Sequence, residues 1–380
     1  MLDTLRLRAA LGCTLAALAG ALAGCSRHVT IGPADVQEAV VTIPPTTDPS
    51  LDWVDARTLT IEGKGWEDTP TAYDRLPVEA EETVTPAVWS LSHDSAGIAI
   101  RFVTDSPRLA AQWNGGGGMN HMAATGNSGL DLYQKTADGW VFRGVGKPDT
   151  QHTTRVLSTS GPREPTEYLL YLPLYNPVTD LRIGIDRGSK IEPALARPAA
   201  RKPLVFYGTS ITQGGCASRT GMCHTAILGR WFDREVINLG FSGAGKMEMA
   251  MAELLGELDP AAYVLECLPN MTTDMVRDRV KSFVRYLRAT HLDTPIVLVE
   301  NPHNPDNNPG NVALRDAYAL LRAEGTANLY LLPGARQLAG PENGTVDGVH
   351  PTDLGFLRMA EAYVPTLEEV LKEPAHIPAD

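Results

Sequence analysis

The chain has 380 residues, long for one compact domain, so two are expected. Its formal net charge of −12 argues against a nucleic-acid or polyanion partner, and no basic run extends beyond Arg197 to Lys202. A content of 43% hydrophobic and 21% charged residues is globular and excludes a disordered or fibrous chain.

Arg6 and Arg8 precede a short apolar run, Ala9 to Leu22, too short for a comfortable membrane span. It ends in Leu22-Ala23-Gly24-Cys25, small residues before a cysteine, as signal cleavage requires. The pattern resembles a bacterial lipobox. The expectation is a lipoprotein signal peptide over 1–24, with Cys25 lipidated and anchoring the chain in the cell envelope. Ser26 points to the periplasmic face of the outer membrane. Residues 25–50, rich in Pro, Thr and Val, read as a tether. Three cysteines remain, Cys216, Cys223 and Cys267. An envelope setting permits disulfides, and Cys216 and Cys223 flank one short loop and could pair, given a suitable Cα separation. There is no Cys-x-x-Cys, no His-Glu-x-x-His and no acidic calcium loop, so neither metal nor cofactor is expected.

From 51 to 193 the pattern is short, alternating strands such as Ile98-Ile100-Phe102, Leu109-Ala111-Trp113 and Leu181-Ile183-Ile185. Turn signals punctuate them: Asp94-Ser95-Ala96-Gly97, Ser106-Pro107, Asp138-Gly139 and Asn176-Pro177. This predicts an antiparallel β-sandwich, jelly-roll-like, without helices of useful length. Gly115 to Gly118 precede His121, which reads as a structural histidine in a flexible loop rather than a ligand. Residues 194–202, with Pro198 inside, Pro193 and Pro203 at its borders and little apolar character, read as a linker.

From 203 to 380 strands and helices alternate. The strands are Leu204–Tyr207, Val236–Leu239, Tyr263–Glu266, Ile296–Glu300 and Leu329–Leu332. The helices are Thr225–Phe232, Met247–Leu258, Asp274–Thr290, Val312–Ala323 and Leu354–Leu371, the last with Asp353 as candidate N-cap. Strand–helix alternation implies a parallel sheet covered on both faces, a flavodoxin-like three-layer α/β/α domain. Ligands of such sheets bind beyond the carboxyl ends of the strands, where Ser210 follows Gly208-Thr209.

The other loops at that edge supply what a serine needs. Ser210 is a poor nucleophile until a base takes its proton. His350 is the candidate base, and Asp347, three residues earlier, can orient it and stabilise its imidazolium. The Ser210 N–H, the Gly243 N–H and the Asn270 amide are candidate donors to a tetrahedral oxyanion. Met247 and Met251, on one face of a helix, read as core rather than as an acyl pocket.

Gly208-Thr209-Ser210, Gly243, Asn270 and Asp347-x-x-His350 resemble the four blocks of the SGNH (GDSL-type) hydrolases. Two blocks depart from the usual pattern: Thr209 stands where Asp is common, and Leu268-Pro269-Asn270-Met271 where Gly-x-Asn-Asp is usual. The segment before it resembles the domain preceding such hydrolases in a bacterial subgroup with a Gly-x-Asp-Leu-Tyr motif, here Gly129-Leu130-Asp131-Leu132-Tyr133. The resemblance implies a serine esterase working through an acyl-enzyme, with Ser210 as nucleophile, His350 as base and Asp347 as orienter. The small, polar site loops (Gln213, Ser218, Arg219, His303, Asn304) lean toward removal of short acyl groups from an acetylated glycan. A lipase, lysophospholipase or thioesterase is the alternative of the same class, and a non-catalytic glycan-binding lipoprotein that of another.

Overall fold

A computed structural model describes residues 48–149, 152–338 and 341–378. The leader, Cys25 and nearly all of the 25–50 tether lie outside the described residues. No described helix is long and apolar enough to cross a membrane.

The N-terminal strands are β1 (Leu51–Asp55), β2 (Thr60–Glu62), β3 (Ala99–Thr104), β4 (Leu109–Asn114), β5 (Leu130–Thr136), β6 (Gly139–Gly146), β7 (His152–Ser158), β8 (Thr166–Tyr171), β9 (Leu181–Asp186) and β10 (Ile191–Pro193). They form two antiparallel sheets, ordered β1-β9-β4-β7 and β10-β3-β8-β5-β6, with β2 beside β3. Alternate residues of the two sheets, among them Ala111, Trp113, Ile183, Ile100, Phe102, Leu132 and Leu170, meet in one apolar core. The opposite face of the second sheet is also covered. Tyr133, Leu169 and Tyr171 pack into a cluster with Ala226, Ile227 and Leu228 from the later half of the chain. Burial on both faces explains why Tyr168 to Leu172 is apolar without alternation.

Strands β11 (Leu204–Gly208), β12 (Val236–Gly240), β13 (Ala262–Glu266), β14 (Ile296–Val299) and β15 (Leu329–Leu332) form a parallel sheet ordered β12-β11-β13-β14-β15. Val205 and Tyr207 face one helical layer, while Leu204 and Phe206 face the other. Strand order reverses at β11, so its carboxyl end opens beside the crevice of the switch point.

Several details differ from expectation. A seven-residue helix, Pro86–Ser92, interrupts the β region; Thr85 caps it by accepting from Val88 N–H, and it is too short for a period to show. The edge strand β7 is mostly polar, so no apolar alternation marks it in the sequence. The helix after β12 runs Met249–Gly256, so Met247 precedes it, with φ +54°, and shares no helical face with Met251; both are nevertheless core. Thr352, not Asp353, caps the last helix (Asp353–Leu371), accepting from Gly355 N–H, while the Asp353 carboxylate turns away to accept from Ser218 N–H at 2.9 Å.

Candidate active site

Gly208 ends β11 where a Cβ would lie 2.1 Å from Thr212 Oγ1 and 2.8 Å from Glu266 O, so only glycine fits. The chain turns at once into a short helix, Ser210–Gln213. Thr209 is its N-cap: its hydroxyl accepts from Ile211 N–H at 3.2 Å, and Thr212 Oγ1 accepts from Thr209 N–H at 3.0 Å, a capping box. The same Thr212 hydroxyl donates to buried Glu266 at 2.7 Å, and His224 and Tyr363 engage that carboxylate at 3.1 and 3.0 Å. Thr209, the departure from the usual block, thus has a local structural role. Ser210 opens the helix, so its N–H has no intrahelical acceptor.

Ser210 Oγ lies 2.9 Å from His350 Nε2, and His350 Nδ1 lies 2.7 Å from Asp347 Oδ2. The other Asp347 oxygen accepts from Val349 N–H at 3.0 Å and His350 N–H at 2.8 Å. Burial works to raise this carboxyl, but the bonds from His350 and Val349 outweigh it and hold it at about 2. A carboxylate on Nδ1 keeps the proton there and leaves the Nε2 lone pair facing the serine.

The loop after β12 lies against the same turn: Phe241 N–H donates to Gly208 O at 3.0 Å, and a Cβ on Gly245 would meet Gly208 O at 1.8 Å. Gly243 is exposed with φ +69°. Asn270, from the short helix after β13, spans this loop, its amide donating to Phe241 O and Gly245 O at 3.3 Å each.

The N-terminal half reaches the site by three routes that were not read from the sequence. Tyr175 hydroxyl donates to Ser210 O at 3.2 Å. Gln213 binds Asp94 and Leu174 O through its amide nitrogen at 3.0 and 3.1 Å, and accepts from Ser242 N–H at 3.0 Å. His121 is exposed, and its ring centroid is 5.8 Å from that of His350. His121 is therefore not the structural histidine expected but a rim residue of the site. His303 joins the rim from the loop after β14; burial, reinforced by His350, lowers its pKa and keeps the ring neutral.

The Gly-x-Asp-Leu-Tyr motif holds the loop that follows the serine. Asp131 is fully buried, and its Oδ2 accepts from Arg219 at 2.7 Å, Gly221 N–H at 2.9 Å and Tyr133 hydroxyl at 3.3 Å. Arg219 also stacks on Phe142 and Arg230 on Tyr133, each 4.0 Å from the ring centroid. A Cβ on Gly129 would meet Thr125 O at 2.4 Å.

The Cys216–Cys223 disulfide does not form; both are free thiols. Cys223 Sγ is engaged by Thr225 Oγ1 at 3.3 Å and Thr220 O at 3.5 Å, whereas Cys216, with φ +74°, turns toward His121 and His350.

Residues 201–368 match the model of the GDSL-like lipase/acylhydrolase family, and residues 51–191 match the GxDLY model, the N-terminus of SGNH-hydrolase-type esterases. A protein described as a GDSL-like lipase from Bacteroides ovatus is 36% identical, with TM-score 0.79 over 85% of this chain and 98% of that one. The salicylyl-acyltransferase SsfX3 from a tetracycline biosynthetic pathway (18% identity, TM-score 0.70) and a family two carbohydrate esterase from Cellvibrio japonicus (16%, 0.55) share the fold, each over 85% of this chain and 98% of their own. No curated protein matches the chain.

Proposed function

Since the chain belongs to the GDSL-like lipase/acylhydrolase family and hydrolyses ester bonds, we propose that it is a carbohydrate O-acetylesterase with Ser210 as nucleophile, His350 as its base and Asp347 as the group orienting that base. The carrying observation is the continuous pair of contacts, Ser210 to His350 at 2.9 Å and His350 to Asp347 at 2.7 Å. As Ser210 Oγ attacks the acetyl carbonyl, His350 Nε2 takes its proton and then gives it to the leaving sugar hydroxyl. The oxyanion is received by the N–H groups of Ser210 and Gly243 and by the Asn270 amide, whose 3.3 Å bonds are long enough to be shared with a stronger acceptor. Water then cleaves the acyl-enzyme by the same route in reverse.

Hydrolysis rather than acyl transfer is supported by solvent access: the Asp347 and His350 side chains keep 36% and 21% of their exposure. An acetylated glycan is supported by the small and polar rim (Gly215, Gly243, His121, His303) and by the carbohydrate-esterase fold neighbour. The test joins labelling to substrate preference. A fluorophosphonate probe labels the folded protein and not Ser210→Ala, and the enzyme releases acetate from acetylated glycans and prefers acetyl over long-chain p-nitrophenyl esters. Absent labelling would leave a glycan-binding protein, and long-chain preference a lipase or thioesterase.

The leader extends the proposal: Cys25 carries the lipid that holds the enzyme at the envelope, on the periplasmic face of the outer membrane. Labelled palmitate enters the chain in a bacterial host and fails to enter Cys25→Ala; a wild-type chain without label would overturn this part.

A further inference from the structure

No metal-ligand motif is written along the chain, yet the fold gathers three ligand-type side chains from positions far apart in it. His121 comes from the glycine-rich loop of the N-terminal half, Cys216 from the turn after Gly214-Gly215, and His350 from the loop before the last helix. One donor atom from each lies within 4.8 Å of the others. We propose that His121, Cys216 and His350 form a site for a thiophilic divalent cation of the zinc class, and that its occupancy switches the serine off.

The donor set suits such an ion: two neutral imidazoles and a thiolate select borderline-soft metals over magnesium or calcium. Both rings are already arranged as ligands. His121 Nδ1 faces Asn120 Oδ1 at 3.1 Å and His350 Nδ1 faces Asp347 Oδ2 at 2.7 Å. Each therefore has Nε2 as its remaining donor, with an oxygen behind the ring of the kind that orients metal-binding histidines. The Cys216 sulfur is in no disulfide and makes no hydrogen bond among the described residues. Tetrahedral zinc, with bonds of about 2.3 Å to sulfur and about 2.0–2.1 Å to nitrogen, sets donors roughly 3.3–3.6 Å apart. Closing from 4.8 Å is the task of His121, which is exposed and follows Gly118, where even a Cβ would meet nothing within 4 Å. The fourth position remains for water.

Binding is balanced by one proton: the cation bonds to the sulfur, the S–H bond breaks, and the proton passes to solvent. The Nε2 lone pair of His350 that accepts the metal is the one that would accept the Ser210 proton, and it cannot do both. Ligation stands on geometry alone; inhibition rests on the proposed role of His350.

The test uses the metal-free full chain with Zn2+ and with Co2+ as its spectroscopic stand-in. One equivalent of Zn2+ binds by calorimetry, and Co2+ gives a thiolate-to-cobalt charge-transfer band in the near ultraviolet. The band is lost in Cys216→Ser, and affinity falls about tenfold or more in His121→Ala, whose exposed side chain can be removed without touching the core. Zn2+ stops ester hydrolysis, a chelator restores it, and His121→Ala needs about tenfold or more Zn2+ for the same fractional loss. No cobalt band in the wild-type chain, or a zinc affinity unchanged in both variants, overturns the site. A band without inhibition of an active esterase would overturn the switch and keep the site. A band in a chain without esterase activity would sink the catalytic reading and the switch together, leaving the site standing.

Discussion

Asp131→Asn is the perturbation that most directly tests how the two halves of the chain share one site. Asp131 is fully buried on β5, and its carboxylate is the common acceptor for Arg219, Gly221 N–H and Tyr133 hydroxyl. Burial raises its pKa, while Arg219 and Arg230 oppose the rise. Arg230 has no acidic partner in salt-bridge range among the described residues, and its guanidinium lies on Tyr133 at 4.0 Å. Asparagine keeps the shape and can still accept from Gly221, but it leaves two guanidinium groups without the countercharge. Removing one partner of a buried pair costs about 3–5 kcal/mol. Arg219 is partly exposed and recovers some hydration, so about 3 kcal/mol is expected here. For a chain of this size that is a fall in Tm on the order of 4 °C, read by calorimetry against the wild-type protein. Because Asp131 also holds the loop that carries Cys216, Ser218 and Arg219 beside the serine, kcat for an acetyl ester should fall by up to about 100-fold, more than KM rises. A double-mutant cycle with Arg219→Gln should show a coupling of 1 kcal/mol or more, on the order expected for contacting charges. A Tm within about 2 °C of wild type together with an unchanged kcat would refute the view that the motif anchors this loop.

Three further outcomes follow from the same geometry. Asp347→Asn should lower kcat by roughly 10⁴-fold with little change in KM, since the wrong tautomer removes the base but not the binding surface; a rise in KM at constant kcat would take Asp347 out of the orienting role. Glu235 is half-buried; partial desolvation and the neighbouring Glu62, only partly offset by Gly63 N–H and Arg197, push it up to about 7. Its folded value lies above its unfolded one, so its contribution is present below about pH 4.5 and lost as pH rises through 7, by at most about 3 kcal/mol. Glu235→Gln should therefore flatten the fall in Tm between pH 5 and pH 8, and a parallel fall in the variant would assign it to another group. Tyr175→Phe removes one of several bonds to Ser210 O, the others coming from Gly214 and Gly215 at 3.0 and 2.7 Å, so it should cost only about 1 kcal/mol of stability; a loss several times larger would mean that the tyrosine itself sets the serine turn.

What could be read in the chain, and what could not, divides along a physical line. The parallel sheet was legible because strands buried on both faces are continuous apolar runs, and all five expected strands lie within a residue of β11 to β15 at either end. Ser210, Asp347 and His350 were legible because each sits immediately after a strand or before a helix, where the fold forces loops to one edge. His121 was not, since nothing near it in sequence engages it beyond Asn120; its place is set by Gly126, whose Cβ would lie 2.0 Å from Ala217 O, and by Thr125, whose hydroxyl donates to Ser218 O. Those contacts join residues about ninety positions apart, and no local pattern carries them. The cysteine pair failed for a related reason: spacing allowed a bridge, but the positive φ of Cys216 turns its sulfur into the site while Cys223 is spent on its own helix start.

The same contacts decide what the β half is for. Its outer sheet face completes the apolar cluster around Phe206, Ile227 and Phe356, so the later half alone would expose Ile227 and Leu228 to water. At the edge that carries Ser210 and His350 it contributes Tyr175, Asp94 through Gln213, and the His121 rim. A sandwich that only bound glycan at a distance would need none of these bonds. The 194–202 stretch fits the closer coupling: Arg197 bonds Glu62 on one side at 2.8 Å and Asp233 on the other, holding the halves in one register rather than letting them swing. The rim of the site is thus set by the β half and its floor by the parallel sheet. Substrate choice should accordingly respond to changes in the 115–122 loop, while the rate of the chemical step responds to changes around Gly208, Glu266 and Thr212.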